Sequence, residues 1–238
     1  MKKIILCLLP FLMIISHSQG QVGNEEVPQS AKTKFSKQKE ILSYLPPLLI
    51  TAYGIMAIGP NPSIYDRFAA KRDVQKAFPG FYSPADNYMQ FIPTATVFGL
   101  SLCGIKGKHN LKDQIILYAC SMILSEGIAT GLKYTTKVLR PDNSTYNSFP
   151  SGHTTSAFTG AEQMNQEYGS SSILYSLFGY TVASATGYMR MMNNRHWLSD
   201  VLVGAGIGMV STKLVYAVYP KIKKRFFPDK VKENYSIM

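Results

Sequence analysis

The chain alternates long apolar runs with short polar breaks. The runs lie roughly at Ile41–Gly59, Phe91–Ile105, Gln114–Lys133, Thr155–Tyr168, Ser172–Tyr188 and Leu198–Tyr219, and read as five or six helices. Several approach the roughly 20 residues needed to cross a bilayer. None is uniformly apolar. Glu126 interrupts the third, Lys213 sits in the last, and the fourth carries Glu162, Gln163, Asn165, Gln166 and Glu167. Ionisable groups at such positions face a bundle interior or a wet cavity. No internal repeat is present. The pattern predicts an all-α, membrane-embedded bundle of about six helices with a polar site at one end.

The flanks read differently. "MKK" followed by "IILCLLPFLMII" and "SHSQG" has the charged, apolar and small-residue parts of an export signal over residues 1–20, with Ser18 and Gly20 at the small positions. An uncleaved N-terminal anchor is the alternative. Residues 21–40 are polar and lysine-rich and predict a linker, residues 41–220 the helical domain, and residues 221–238 a basic tail.

Charge placement adds a topology. Lys32–Lys39 precede the first run, Lys106, Lys108 and Lys112 join the second to the third, and Lys221, Lys223, Lys224 and Arg225 follow the last. The positive-inside rule puts these groups in the cytoplasm and residues 60–90, 134–154 and 189–197 on the opposite, periplasmic side. A cleaved signal would instead start residues 21–40 outside, so the two readings of the N-terminus conflict.

Composition narrows the function classes. Hydrophobic residues make up 46% and charged ones 16%, against about 25% charged in a typical soluble domain. The net charge of +11 suits an anionic membrane surface or substrate better than nucleic acid, because no nucleic-acid motif accompanies it. Cys7, Cys103 and Cys120 have no metal-ligand spacing and are expected to be buried free thiols, with a disulfide in an oxidising compartment as the alternative.

Three polar segments carry candidate chemistry. Lys133 and Arg140 are seven residues apart, two helical turns, before the helix-stopping Pro141. Two cations on one helix face suit a phosphoryl group; a solvated basic helix end is the plainer alternative. Pro150-Ser151-Gly152-His153 precedes a helix. Its free N–H groups and Ser151 can hold an anion beside the His153 proton donor, or it is a simple cap. Arg190 is followed by His196 and Asp200, four apart. A carboxylate so placed can fix one imidazole nitrogen and leave the other as nucleophile or base, or merely cap a helix. Two of the four histidines fall in these segments, and all three segments fall on the same expected side of the membrane.

Lys133-x6-Arg140-Pro141, Pro150-Ser-Gly-His153 and Arg190-x5-His196-x3-Asp200 together resemble the three-part signature of the type 2 phosphatidic acid phosphatase superfamily. Class A acid phosphatases and vanadium haloperoxidases share that signature, and Bacteroidetes members resemble the surrounding sequence too. The resemblance implies a phosphoric ester hydrolase acting without metal or other cofactor. It implies His196 as the nucleophile forming a phosphohistidine, Asp200 as its orienting carboxylate, and His153 as proton donor to the leaving oxygen and later activator of water. Lys133, Arg140 and Arg190 would bind the phosphate oxygens, aided by the Ser151 hydroxyl and the Gly152 N–H. Met189 stands where the signature usually has Ser, so one phosphate donor is absent. The eight residues between Pro141 and Pro150 leave little material for a lid, which suggests an open site.

The resemblance implies a membrane lipid substrate at the periplasmic face: lipid A, with its 4′-phosphate favoured by analogy, undecaprenyl diphosphate, phosphatidylglycerophosphate or phosphatidic acid. No obligatory protein partner and no nucleic acid is implied. A soluble or peripheral periplasmic acid phosphatase, a vanadate-dependent haloperoxidase and a non-catalytic membrane protein remain as alternatives.

Overall fold

A computed structural model describes residues 38, 40–61 and 63–226. The expected export signal over residues 1–20, nearly all of the linker, and tail residues 227–238 lie outside the described residues. The chain divides into Met1–Ser43 and Tyr44–Met238. In the first unit, Ser43 N–H closes a turn on the Glu40 carbonyl at 3.1 Å. Everything below concerns the second.

All regular structure among the described residues is helical: α1 Leu45–Met56, α2 Arg67–Ala77, α3 Asp86–Met89, α4 Ile92–Leu102, α5 Leu111–Thr136, α6 Gly152–Tyr168, α7 Ile173–Met192 and α8 Leu198–Phe226. The six apolar runs correspond to α1 and α4–α8. Helix α8 continues through residues 221–226 into the segment expected to be tail. Local chemistry sets the starts. Prolines occupy the first positions of α1 and α4, where a missing N–H is harmless. Asn110 caps α5 through Asp113 N–H, and Ser172 caps α7 through Leu174 N–H.

Helix α6 is the axis of the bundle, packed by α4, α5, α7 and α8. Thirteen of its residues are buried, so its polar side chains must find partners inside. Glu162 pairs with Lys213 of α8 at 2.9 Å and accepts from Tyr180 of α7 at 2.5 Å. Glu167 accepts from His109 N–H at 2.8 Å and Tyr216 at 2.7 Å, and its carboxylate meets His109 Nδ1 at 2.8 Å. Glu126 of α5 accepts from Ser156 at 2.9 Å. The charges that break the apolar pattern are therefore inward-facing. Phe158, Met164 and Tyr168 on the same helix are almost fully buried, each worth roughly 1.5–3 kcal/mol.

The outward faces are apolar. Helices α5 and α8 are long and apolar enough to cross a membrane, by length and composition, and only 22% of the apolar window of α5 is buried against 61% for α8. Ile115, Ile123 and Ile128 on α5 are exposed. Cys103 and Cys120 are also exposed free thiols, contrary to the expectation of burial. Their runs are apolar because the outer helix surfaces are, not because these positions belong to the core.

Helix α2 was not foreseen within the 60–90 loop. Its pattern is mostly charged, but Ala70 and Val74, four apart, are buried against Met191 and Val201. Asp66 caps it, accepting from Phe68 and Ala69 N–H groups at 2.9 and 2.8 Å. The helix braces the polar end of the bundle. Lys71 donates to the Pro141 carbonyl at 2.5 Å, and Phe68 packs edge-on against Trp197 at 5.4 Å.

The approach of α8 to α6 depends on small residues. A Cβ on Gly208 would lie 2.5 Å from the Thr155 carbonyl oxygen and 2.9 Å from Thr159 N, both backbone atoms. Nothing lies within 4 Å of a Cβ at Gly127 on the exposed face of α5. Gly208→Val is therefore expected to destabilise the protein by about 2 kcal/mol, whereas Gly127→Ala should be neutral or stabilise by up to about 1 kcal/mol through helix propensity. Thermal unfolding of the purified variants in one detergent checks both directions.

Candidate active site

Helix α5 ends at Thr136. Lys137 takes a left-handed conformation (φ 46°, ψ 43°) and its N–H returns to the Lys133 carbonyl at 3.3 Å. This corrects the expectation that Lys133 and Arg140 share a helix face: Arg140 lies in the following loop. That loop folds back on itself. Ser148 N–H donates to the Val138 carbonyl at 2.9 Å, and Arg140 N–H to the Thr145 carbonyl at 3.0 Å. The loop still gathers both cations. Lys133 Nζ donates to the Asn147 carbonyl at 3.1 Å and to the Pro150 carbonyl, and Arg140 Nε donates to Asn147 Oδ1 at 2.9 Å. Lys133 thus fastens the loop with its ammonium protons.

The next segment enters α6 three residues earlier than expected. Ser151 is the N-cap, fully buried, and its hydroxyl oxygen accepts from Thr154 Oγ1 at 2.9 Å. Its N–H donates to the Asp200 carbonyl at 3.0 Å. The capping alternative raised for this segment is therefore part of its structure, and the Ser151 N–H is already engaged. Gly152 is the first residue of α6, and a Cβ there would sit 3.6 Å from the Glu126 carboxylate. His153 follows in the first turn, with Nε2 2.8 Å from Asn87 Oδ1.

His196 and Asp200 are four apart but not stacked on a helix, because α8 begins at Leu198. Their contact is made by a turn. Asp200 Oδ2 accepts from Trp197 N–H at 3.0 Å and from Ser148 Oγ at 2.5 Å, and lies 3.4 Å from His196 Nδ1. The nearer partner of Nδ1 is the Ser148 carbonyl at 2.8 Å. A carbonyl oxygen only accepts, so Nδ1 carries the hydrogen and neutral His196 keeps a lone pair on Nε2. Ser148, inside the same polar segment, orients both His196 and Asp200, and sequence reasoning did not single it out. Its role runs through a backbone carbonyl and a loop closure, neither of which leaves a side-chain signature.

A cavity of about 440 Å³ opens at this end of the bundle. Arg140, Arg190, Arg195 and His153 line it, together with the carboxylates of Asp86 and Asp142. Arg190 Nη1 donates to Asp86 Oδ2 at 2.8 Å, while its buried Nε has no partner among the described residues. Arg195 pairs with Asp142 at 2.8 Å. Of the eight residues expected to form the site, Arg140, His153 and Arg190 border the cavity. His196, only 3% exposed, fully buried Asp200 and Ser151, and also Lys133 and Gly152 do not. Asp86, Asn87, Asp142 and Arg195 are site residues that motif spacing did not mark. Arg195 immediately precedes His196, which was its available signal.

Electrostatics follow from burial and crowded cations. Burial lowers the His196 pKa to about 4; Asp200 opposes the shift, and Arg190 and Lys133 reinforce it. Burial also lowers His153 to about 4, with Arg190 the leading cation beside it and Asp86 opposing. Burial, then Arg195 and Arg190, lower Arg140 from its ordinary value. Such mutual repulsion around one cavity is relieved by an anion.

Parts of this chain are similar to known proteins. Residues 114–224 match the model of the PAP2 superfamily. A lipid A 1-phosphatase of Porphyromonas gingivalis is 40% identical over 158 residues, which are 66% of this chain and 35% of that protein. The chain thus spans about a third of the length of this curated relative. Among solved structures, Aquifex aeolicus LpxE aligns over 61% of this chain and 93% of its own at a TM-score of 0.48 and 19% identity. A transmembrane PAP2-type phosphatidylglycerolphosphate phosphatase of Bacillus subtilis aligns over 78% of this chain and 98% of its own, at 0.47 and 21%. The stretch that matches the PAP2 superfamily model, residues 114–224, contains all three polar segments that meet at this end of the bundle.

Proposed function

We propose that this chain is a membrane lipid phosphatase that removes a phosphate from lipid A at the periplasmic face through a phosphohistidine intermediate. The observation that carries the reading is the cavity bordered by Arg140, Arg190, Arg195 and His153 beside a buried histidine whose Nδ1 is tied to the Ser148 carbonyl. Cations around the cavity neutralise the phosphate oxygens, and catalysis rests on positioning and charge. The Arg190 Nε, without a partner among the described residues, is a donor available to one of those oxygens. Arg140, held through Nε to Asn147, presents its remaining guanidinium N–H groups to another.

In the first step the Nε2 lone pair of His196 attacks phosphorus and the bond to the leaving oxygen breaks. His153 gives that oxygen a proton. In the second step His153 takes a proton from water, the resulting hydroxide oxygen bonds to phosphorus, and the P–N bond breaks to release phosphate and restore His196. A pKa of about 4 keeps His196 neutral and nucleophilic at neutral pH. The same value would leave His153 unprotonated. A phosphate dianion beside Arg140 and Arg190 offsets the field that depresses it, so substrate binding itself charges the acid. Asp200, held by Ser148 and Trp197, balances the positive charge that grows on His196.

Lipid A as substrate is supported by the P. gingivalis relative, whose name also favours the 1-phosphate over the 4′-phosphate suggested by analogy. Undecaprenyl diphosphate and phosphatidylglycerophosphate are the competing substrates in the same chemical class. The unburied apolar face of α5 favours residence in the bilayer. The charge layout favours the periplasmic side for the site. Lys223 at the far end of α8 meets Asp113 at the start of α5 at 2.5 Å, so the basic clusters at 106–112 and 221–225 share the end opposite the cavity.

His196→Ala is expected to reduce phosphate release by about 10⁴-fold or more and to abolish acid-labile phosphoprotein after a quench with labelled substrate. His153→Ala is expected to slow turnover by roughly 10²-fold or more. Retention of activity by His196→Ala would reject the nucleophile.

Purified protein given bisphosphorylated lipid A, undecaprenyl diphosphate and phosphatidylglycerophosphate should dephosphorylate lipid A fastest. Fragment masses should place the loss at position 1. Loss from the 4′ position, or preference for another lipid, overturns that part of the reading.

A further inference from the structure

The cavity wall contributed by α3 lies outside all three signature segments, yet it touches two of them. Asp86 holds Arg190, and the neighbouring residue, Asn87, presents Oδ1 to His153 Nε2 at 2.8 Å. This wall is firmly attached. Asn193 accepts from Ser83 N–H at 2.9 Å, donates to the Ser83 carbonyl at 2.8 Å, and donates to Asp86 at 2.9 Å. Asn87 is fixed in turn by its N–H on the Pro84 carbonyl at 3.1 Å and by Gln90 Nε2 on its own carbonyl at 2.8 Å. Its amide oxygen therefore has a defined place relative to Arg190 and the end of α7.

We propose that Asn87 is a positioning residue for His153, whose amide oxygen holds the Nε2 proton at the cavity wall until the leaving oxygen takes its place. The proposal rests on the reading of His153 as the proton donor. An amide oxygen accepts at this position, so the shared hydrogen belongs to Nε2. Both residues border the cavity, so the proton is presented where the leaving oxygen arrives. Asparagine does this without charge. A carboxylate in its place would bind the imidazolium more tightly and hold back its proton, which a neutral amide releases.

The charged and titratable groups around His153 are Arg190 from α7, Asp86 from α3, His196 from the turn before α8 and Arg140 from the loop after α5. Asn87→Asp adds a second carboxylate to this set without removing any member. The protonated acid is needed in the substrate complex, so kcat falls as pH rises through its pKa, and a raised pKa moves that fall to higher pH.

The test uses the full-length protein in detergent with a lipid phosphate monoester and compares wild type, Asn87→Ala, Asn87→Asp, His153→Ala and the double alanine variant. Asn87→Ala is expected to lower kcat by about 10- to 100-fold with KM changed less than about threefold. Asn87→Asp is expected to move the alkaline limb of kcat upward by about 1 pH unit. The double variant should be no slower than His153→Ala, because Asn87 acts through His153. An unmoved alkaline limb in Asn87→Asp, or a double variant slowed by the product of the two single effects, overturns the proposal while leaving His153 as acid. Full turnover by His153→Ala instead removes the proton-donor reading and the proposal with it.

Discussion

The Asp200 carboxylate is fully buried, and the site is organised around the need to satisfy it. A lone buried carboxylate costs several kcal/mol. Here one oxygen gathers the Ser148 hydroxyl, the Trp197 N–H and the flank of His196, and the other takes the Ser199 hydroxyl at 3.2 Å. The backbone of the same residue receives the Ser151 N–H. One side chain and its carbonyl thereby join the loop after α5, the start of α6 and the start of α8. Three stretches far apart in sequence meet because this charge has to be surrounded. His196 is held between Asp200 and the Ser148 carbonyl as part of the same solution.

Around that anionic centre the cavity is cationic, and the two layers have different anchors. Arg190 and Arg195 are each opposed by a carboxylate, Asp86 and Asp142. Lys133 is committed to two loop carbonyls and Arg140 to a neutral amide. Helix α2 and its aromatic contact with Trp197 support the loop from outside. The geometry thus separates cations that build the wall from those with a hydrogen-bond donor still to be used.

Much of the fold was legible because its periodicity is strong: the six apolar runs are α1 and α4–α8. The interior position of Glu162, Glu167 and Lys213 was legible because a charge inside an apolar run has nowhere else to go. Helix α2 escaped notice because its buried stripe is only Ala70 and Val74 under a charged surface. The convergence of His153, Arg140 and Arg190 followed from motif spacing, but the shared helix face assigned to Lys133 and Arg140 did not survive. A left-handed Lys137 turns the chain, and residue identity alone does not announce such a turn at lysine. Ser148, Asp86 and Asn87 were invisible for another reason. They matter through contacts across 48, 104 and 66 positions of sequence, which no local pattern encodes.

The pairing of Glu162 with Lys213 has a consequence for how the bundle is made. Each charge is buried, and each is paired with the other across the α6–α8 contact. Neither helix can be placed in an apolar medium alone without stranding an ion there. Loss of either partner therefore leaves the other buried at that contact without its counterion.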